Sequence, residues 1–326
     1  MRFVVYGAGA IGGVVGALLA EAGEDVLLIA RGAHADAIRQ SGLAVESAEG
    51  RRVVRLDVAE GPAGAVQPED VVLLAVKSQD TAGALAELRR AAPPSTRVVC
   101  LQNGVDNERA ALRIFTTVYA VCVMCPAAHL EPGVVEAYSS PIPGLLDVGR
   151  YPSGVDSVSG ELAAAFRSAT FESVERPDVM RWKYRKLLMN LGNAVEAVCA
   201  APGRSAVSKL ARDEGTACLW AAGIDVASQD EDVARRGDLL DLHAVGGHER
   251  AGGSSWQSLQ RGVGSVESDY LNGEIVLLGR RHGVPTPVNA LLQELAWDRA
   301  LSRGSPGGCS PAAACTSHRA PAGPAR

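Results

Sequence analysis

The run Gly7-Ala8-Gly9-Ala10-Ile11-Gly12 constrains this chain more than any other feature. It follows a short apolar stretch, RFVVY at 2–6, without an intervening residue, and residues 10–22 have helical composition. Strand, glycine turn and helix in that order make a dinucleotide-binding unit. One glycine forms the tight turn, a second lets backbone approach a pyrophosphate, and the third lets helix pack on strand. The helix N-terminus then faces the phosphate charge. All six residues are therefore assigned to cofactor binding.

The chain beyond this loop continues the same pattern. Short β-type runs at 25–29, 70–76, 96–100 and 117–123 are separated by helical stretches around 81–90 and 107–115. Near-continuous apolar strands alternating with helices predict a parallel sheet covered on both faces, an α/β Rossmann-type domain. Residues 126–150 are richer in Gly and Pro and predict an antiparallel excursion; a helix at about 157–168 and a strand at about 171–175 close the domain near residue 177. From residue 178 to 303 the composition is helical (179–200, 205–228, 230–244 and 265–283), which predicts an all-α second domain. Residues 304–326 are small, Pro-rich and aperiodic and read as a disordered tail.

Composition narrows the function class. The 326 residues suit about two domains. A formal net charge of −5 gives no electrostatic footprint for nucleic acid and no polybasic membrane contact. Apolar runs such as Val71–Val76 fall far short of the ~20 residues that cross a bilayer, and the immediate first strand leaves no room for an export signal. The expectation is a soluble cytoplasmic protein. Its seven cysteines are odd in number; Cys122 and Cys125 have C-x-x-C spacing, but in a strand-like run without a second pair they read as structural, and no metal site is expected.

Three residues extend the site. Where NAD-binding sequences usually place an acid after the second strand, this one has Arg31, which would pair with a 2′-phosphate and favours NADP(H). Lys77 follows the strand at 70–76 and Asn103 follows that at 96–100, both at carboxyl strand ends where ligands of such sheets collect. Asn103-Gly104 is equally a turn signal, and spacing alone leaves both readings open.

GAGAIG, Arg31, AVKSQDT (75–81), LQNGVDNE (101–108), RWKYRKLLMN (181–190), SSWQSLQRGVGSVESDYLNGE (254–274) and HGVPTPVN (282–289) occur in one order, and this set resembles the ketopantoate reductase (2-dehydropantoate 2-reductase) family over roughly residues 1–300. The resemblance implies a Rossmann domain followed by a helical domain of the 6-phosphogluconate-dehydrogenase type. It implies NADPH-dependent reduction of a 2-keto acid, 2-dehydropantoate to pantoate first, a step of pantothenate biosynthesis. By the same resemblance Lys186 is the general acid, with Asn190 four residues on; the i, i+4 spacing places both on one helix face. Ser255 would bind the substrate carboxylate, Glu267 the far hydroxyl, and Asn103 would lie near nicotinamide and substrate. The partners expected are a small keto acid and, in a homodimer, a second copy of the chain.

Departures from the family pattern bear on the substrate. Ala194 stands where a second substrate-facing asparagine is usual, and Asn193, one position earlier, returns at about 100° per residue towards the Lys186 face. Trp256 sits beside Ser255, and Gly252 replaces an asparagine. A paralogue reducing a bulkier ketone is the second reading. A non-catalytic NADP(H) sensor is a third, and Lys186, Asn190, Ser255 and Glu267 argue against it, since a sensor needs no proton donor.

Overall fold

The computed structural model describes residues 1–308; Cys309, Cys315, His318 and most of the expected tail lie outside the described residues. Two compact units form. One comprises Met1–Lys183 with Ser228–Arg250, the other Tyr184–Ala227 with the chain from Ala251.

In the first unit, β1 (Arg2–Tyr6), α1 (Ala10–Glu21) and β2 (Asp25–Ile29) are followed by α2 (Gly32–Ser41) and three short strands, β3 (Leu43–Ser47), β4 (Gly50–Val54) and β5 (Asp57–Ala59). Then come β6 (Val71–Leu74), α3 (Thr81–Ala91), β7 (Arg97–Cys100), α4 (Asn107–Leu112) and β8 (Thr117–Met124). The main sheet has the order β12-β8-β7-β6-β1-β2-β5, where β12 is Leu145–Arg150. All neighbours are parallel except β12, which runs antiparallel to β8. Strand residues alternate between two cores. Phe3 and Val5 pack with α1 and with α5 (Ser157–Ser168), while Val4 and Tyr6 pack with Leu85 and Leu88 of α3. Burial on both faces explains why these strands are apolar without a break.

The excursion at 126–150 contributes β9 (Ala127–Ala128), β10 (Val134–Ala137) and β11 (Ser139–Pro141) besides β12; β10 joins β3, β4 and β9 in a four-stranded side sheet. The expected strand at 171–175 is reduced to two isolated bridges, Leu145 with Glu172 and Val148 with Glu175.

The expected boundary at 177/178 lies just before α6 (Val179–Asn190), and the compact units divide a few residues further on. The division falls between Lys183 and Tyr184, inside that helix, and the expected unbroken helical stretch 178–303 gives up Ser228–Arg250 to the first unit. That segment forms α9 (Gln229–Arg236) and then β13 (Leu240–Leu242), where a helix to 244 was expected. Gly237, at φ 44, ends the helix, and β13 pairs antiparallel with β11. Arg235 fastens the segment to β12 with two hydrogen bonds to Asp147 at 2.7 and 2.9 Å, and Arg181 grips Glu231 at 2.7 and 2.8 Å.

The second unit is helical: α7 (Gly192–Val198), α8 (Arg204–Ala221), α10 (Ser254–Gln260), α11 (Asn272–His282) and α12 (Pro287–Leu301). The helix expected over 179–200 is interrupted at Leu191, between α6 and α7. Buried Glu214 of α8 accepts the backbone N–H groups of Val288 and Asn289 at 2.8 and 2.9 Å, an acid placed where the α12 dipole is positive. The Asn289 side-chain amide donates to Glu214 as well and to the Ala211 carbonyl, and the Asn272 amide donates to Asn289 and to the Leu191 carbonyl. Residues 304–308 are held too: Gly307 donates to the Ala197 carbonyl at 2.7 Å. No helix among the described residues is long and apolar enough to cross a membrane.

Candidate active site

The six-residue glycine loop has the shape its sequence requires. Gly7 takes φ 106, and a Cβ there would lie 2.7 Å from the Val76 nitrogen. At Gly12 a Cβ would lie 2.0 Å from the Gly7 carbonyl oxygen and 2.9 Å from the Ala75 Cβ, so only glycine lets α1 reach the sheet. Gly9 is the opposite case: a Cβ would meet nothing within 4 Å, which leaves the backbone at the start of α1 open to an incoming group. Close, close and open is the arrangement a pyrophosphate cradle needs.

The other first-unit candidates share that edge of the sheet. Tyr6 pairs in register with Ile29 and with Leu74, and Leu74 with Cys100, so β1, β2, β6 and β7 end level. Gly7, Arg31, Lys77 and Asn103 each follow one of these ends within three residues. Arg31 is exposed at the N-terminal side of α2 and has no ion-pair partner among the described residues. Lys77 is half-buried before a single 3₁₀ turn, Ser78–Asp80.

Asn103 sits on a braced turn, so the turn and site readings coexist. Gly104 takes φ 80, and the Asn103 carbonyl accepts from the Asn107 amide at 3.0 Å. The Gln102 amide donates to Val76 at 2.7 Å and to Thr81 at 2.8 Å, and Thr81 donates to Asn107 at 2.8 Å. The underside carries a buried ion pair. Lys183, 3% exposed, stands 2.6 Å from the fully buried Glu108 and donates to the Gln102 and Val121 carbonyls at 2.8 and 3.3 Å. Helical lysines are ordinarily solvated, and only the aligned Glu108 could have marked Lys183 as an exception.

The remaining candidates lie in the second unit. Lys186 is half-buried and Asn190 buried, one turn apart on α6. Asn193 belongs to α7, beyond the break at Leu191, so one helical register does not carry through from Lys186; it stands instead against Gly253, where a Cβ would approach its Oδ1 to 2.8 Å. Ser255 is 1% exposed, and its hydroxyl has no hydrogen-bond partner among the described residues. Glu267, in the 3₁₀ turn Glu267–Tyr270, is buried and accepts a bond from Ser254, not Ser255, at 2.7 Å. Sequence reasoning passed over Ser254 because two adjacent serines look alike until the helix phase is known. Glu196 accepts the Gly253 N–H at 2.9 Å.

The described cysteines are core residues. Cys100, Cys122, Cys125, Cys199 and Cys218 are buried and outside any disulfide, and burial raises the thiols of Cys100 and Cys218, the latter to about 11. Cys125 packs in the core of Val121 and Val123, while Cys122 alternates to the other face of β8. Among the described residues no group of three His, Cys, Asp or Glu side chains is placed to hold a metal.

Comparison with known proteins agrees over both units. Residues 3–152 match the family model described as Ketopantoate reductase PanE/ApbA, and residues 178–299 match its C-terminal counterpart. A 2-dehydropantoate 2-reductase of Halobacterium salinarum is 30% identical over 308 residues, spanning 90% of this chain and 97% of the relative. The crystal structure of a PanE/ApbA family ketopantoate reductase from Ralstonia eutropha JMP134 aligns with TM-score 0.77 at 30% identity, over 93% of this chain and 99% of that one. The ternary structure of D-mandelate dehydrogenase with NADH and anilino(oxo)acetate shares the fold, with TM-score 0.79 at 22% identity over 93% and 99% of the two chains.

Proposed function

This chain belongs to the ketopantoate reductase family of nicotinamide-dependent oxidoreductases, and on that premise we propose that it reduces a 2-keto acid with NADPH, 2-dehydropantoate to pantoate being the first candidate. The observation that carries the reading is the level edge of β1, β2, β6 and β7, which aligns the open cradle at Gly9 with Arg31, Lys77 and Asn103.

The coenzyme would rest its pyrophosphate on the backbone of Gly7, Ala8, Gly9, Ala10, Ile11 and Gly12. Arg31 would pair with the 2′-phosphate in a charge-assisted bond, and Lys77 would add positive charge nearby. Bound there, a reduced nicotinamide supplies the hydride to the carbonyl carbon. Lys186 supplies the matching proton: its ammonium donates to the ketone oxygen as negative charge grows there, and water restores the proton afterwards. Asn190, one turn along the same helix, would present an amide to the substrate, and Asn103 would serve near the nicotinamide. The Ser255 hydroxyl is free to donate to the substrate carboxylate, and Glu267, held by Ser254, would accept from the far hydroxyl.

A bulkier ketone is the second reading, supported by Trp256. Its ring covers Gly252 so closely that a Cβ there would stand 2.6 Å from its Cγ, and Ala194 is buried where an asparagine would project. The same fold serves D-mandelate dehydrogenase. Following NADPH and NADH oxidation against a panel of 2-keto acids, with ketopantoate beside aryl and branched analogues, tests both readings. Turnover of ketopantoate at least ~10-fold above every other acid supports the first, and preference for a larger acid supports the second. No turnover of any carbonyl by a protein that binds NADPH would overturn both and leave a nucleotide sensor.

A further inference from the structure

We propose that His34, on α2, is a positioning residue for the coenzyme: its imidazole holds the Ala8–Gly9 peptide plane of the glycine loop through a side-chain hydrogen bond. The proposal rests on reading residues 7–12 as the dinucleotide cradle.

The hydrogen bonds settle the tautomer. The Gly133 N–H donates to His34 Nδ1 at 2.8 Å, so that nitrogen carries no proton. The proton of the neutral ring is therefore on Nε2, and it is donated to the Ala8 carbonyl at 2.7 Å. A second imidazole braces the first. His129 lies with its ring centroid 4.2 Å from that of His34, and its own Nδ1 donates to the Val134 carbonyl at 2.9 Å.

The loop shows why this bond matters. The Gly7 N–H donates to Ile29 at 3.1 Å, which fixes the peptide entering the loop. The Gly7 carbonyl is wedged against Gly12, and the Gly9 carbonyl accepts from Gly13 at 2.7 Å, which fixes the peptide leaving it. Between them stands the Ala8–Gly9 peptide, whose carbonyl packs near Gly13 and takes its hydrogen bond from His34. No atom lies within 4 Å of the position a Gly9 Cβ would take, and glycine resists rotation least of all residues. A trans peptide is planar, with C=O and N–H opposed. Pinning the Ala8 oxygen on His34 thus aims the Gly9 N–H away from α2 and keeps the open face of the cradle in one form before any ligand arrives, so that binding does not have to order it.

Three replacements separate this role from a merely structural one. His34→Gln can present an amide N–H where Nε2 stood, His34→Asn can present an acceptor only where Nδ1 stood, and His34→Leu presents neither. Dissociation constants for NADPH and NADH, read by quenching of protein fluorescence, are measured with kcat and melting temperature. Loss of one neutral hydrogen bond in a preorganised site is expected to weaken coenzyme binding ~10-fold in the Leu and Asn proteins, with the Gln protein within ~3-fold of wild type and kcat altered less than ~2-fold throughout. Equal weakening in Gln and Leu, unchanged binding in all three, or a loss in kcat without one in coenzyme affinity would overturn the assignment. A wild-type protein that binds neither nucleotide would instead overturn the cradle and His34 with it. Wild-type binding beside unaffected variants would refute His34 alone.

Discussion

Two glycine-led entries into helices, Gly7–Gly12 into α1 and Gly252–Gly253 into α10, obey the same sequence grammar and do opposite things. At the first, Gly9 faces open space. At the second, a Cβ on Gly252 would strike Trp256, one on Gly253 would strike Asn193, and the Gly253 N–H is already taken by the Glu196 carboxylate. The first is a vacant backbone surface with a positive helix end, suited to an anion. The second is filled by side chains and carries its own acid. Glycine in the first entry makes room for a ligand, and in the second for neighbours of the same chain. Within the first unit the candidate cradle is backbone, with the side chains of Arg31, Lys77 and Asn103 at the same sheet edge, whereas the candidates of the second unit are side chains alone.

The largest expected effect tests that division directly. Lys186→Ala should lower kcat by ~10²-fold or more, the usual worth of a positioned proton donor, while NADPH affinity stays within ~2-fold of wild type, since the cradle is backbone in the other unit. Single-turnover rates and fluorescence titration measure the two separately. A fall in coenzyme affinity equal to the fall in kcat would break the comparison.

Arg31 is the one side chain on which the first unit's shape-based site is expected to depend for selectivity. Arg31→Ala removes a charge-assisted contact worth ~1.5–3 kcal/mol, roughly 10- to 100-fold in NADPH affinity. NADH, which lacks the 2′-phosphate, should lose little. Parallel titrations of both nucleotides measure the difference, and equal losses would mean that Arg31 only stabilises α2.

The same contrast governs what could be read from the sequence. Gly7–Gly12 and the strands around them were legible because glycine sterics and apolar runs are local signals. The side-sheet strands β3 and β4 and the main-sheet edge strand β5 were not, because they are short and carry charges such as Arg51, Arg52 and Asp57 that hide a strand pattern. Nor was β13, three residues in an otherwise helical composition, whose partner β11 lies about a hundred residues away. Lys186 and Lys183 show the limit at a single helix. Both are lysines on α6, but Lys183 is sealed against Glu108 under the Asn103 turn, and no periodicity of the helix alone tells them apart. Ser254 and Ser255 repeat the problem: the family pattern draws attention to the second, while the first holds Glu267.

That pair yields a smaller prediction. Ser254→Ala leaves the Glu267 carboxylate without the hydroxyl that fixes it, so the KM for the keto acid should rise about 5-fold, within the worth of a hydrogen bond to a charged group. The dissociation constant of NADPH should not move, because Ser254 has no part in the backbone cradle. Steady-state kinetics at saturating coenzyme measure the change. A rise in KM equal to that of Ser255→Ala would make the two serines a single unit, with no separate roles in substrate binding.

A second Ser–Glu pair supplies the control, and the smallest effect. Ser228 and Glu231, unlike the first pair, bond reciprocally, as a capping box at the start of α9, at 2.8 and 3.1 Å. Glu231 is gripped by both nitrogens of Arg181, and this grip first, then the Ser228 backbone, holds its carboxyl down to about 2. A carboxyl depressed in the folded state stabilises it fully above the ordinary value near 4.5 and ceases to do so as pH falls through about 2. Glu231→Gln should therefore melt below wild type at neutral pH, the difference narrowing steadily between about pH 5 and pH 2, while turnover at pH 7 is unchanged. Thermal melts across that range, set beside the same series for Glu267→Gln, separate an acid that fastens a helix from one that faces a substrate. If Glu231→Gln lost activity, or its melting deficit did not depend on pH, the fastening of α9 through Arg181 would not be electrostatic, and Ser228–Arg250 would owe its place in the first unit to β13 and Arg235 alone.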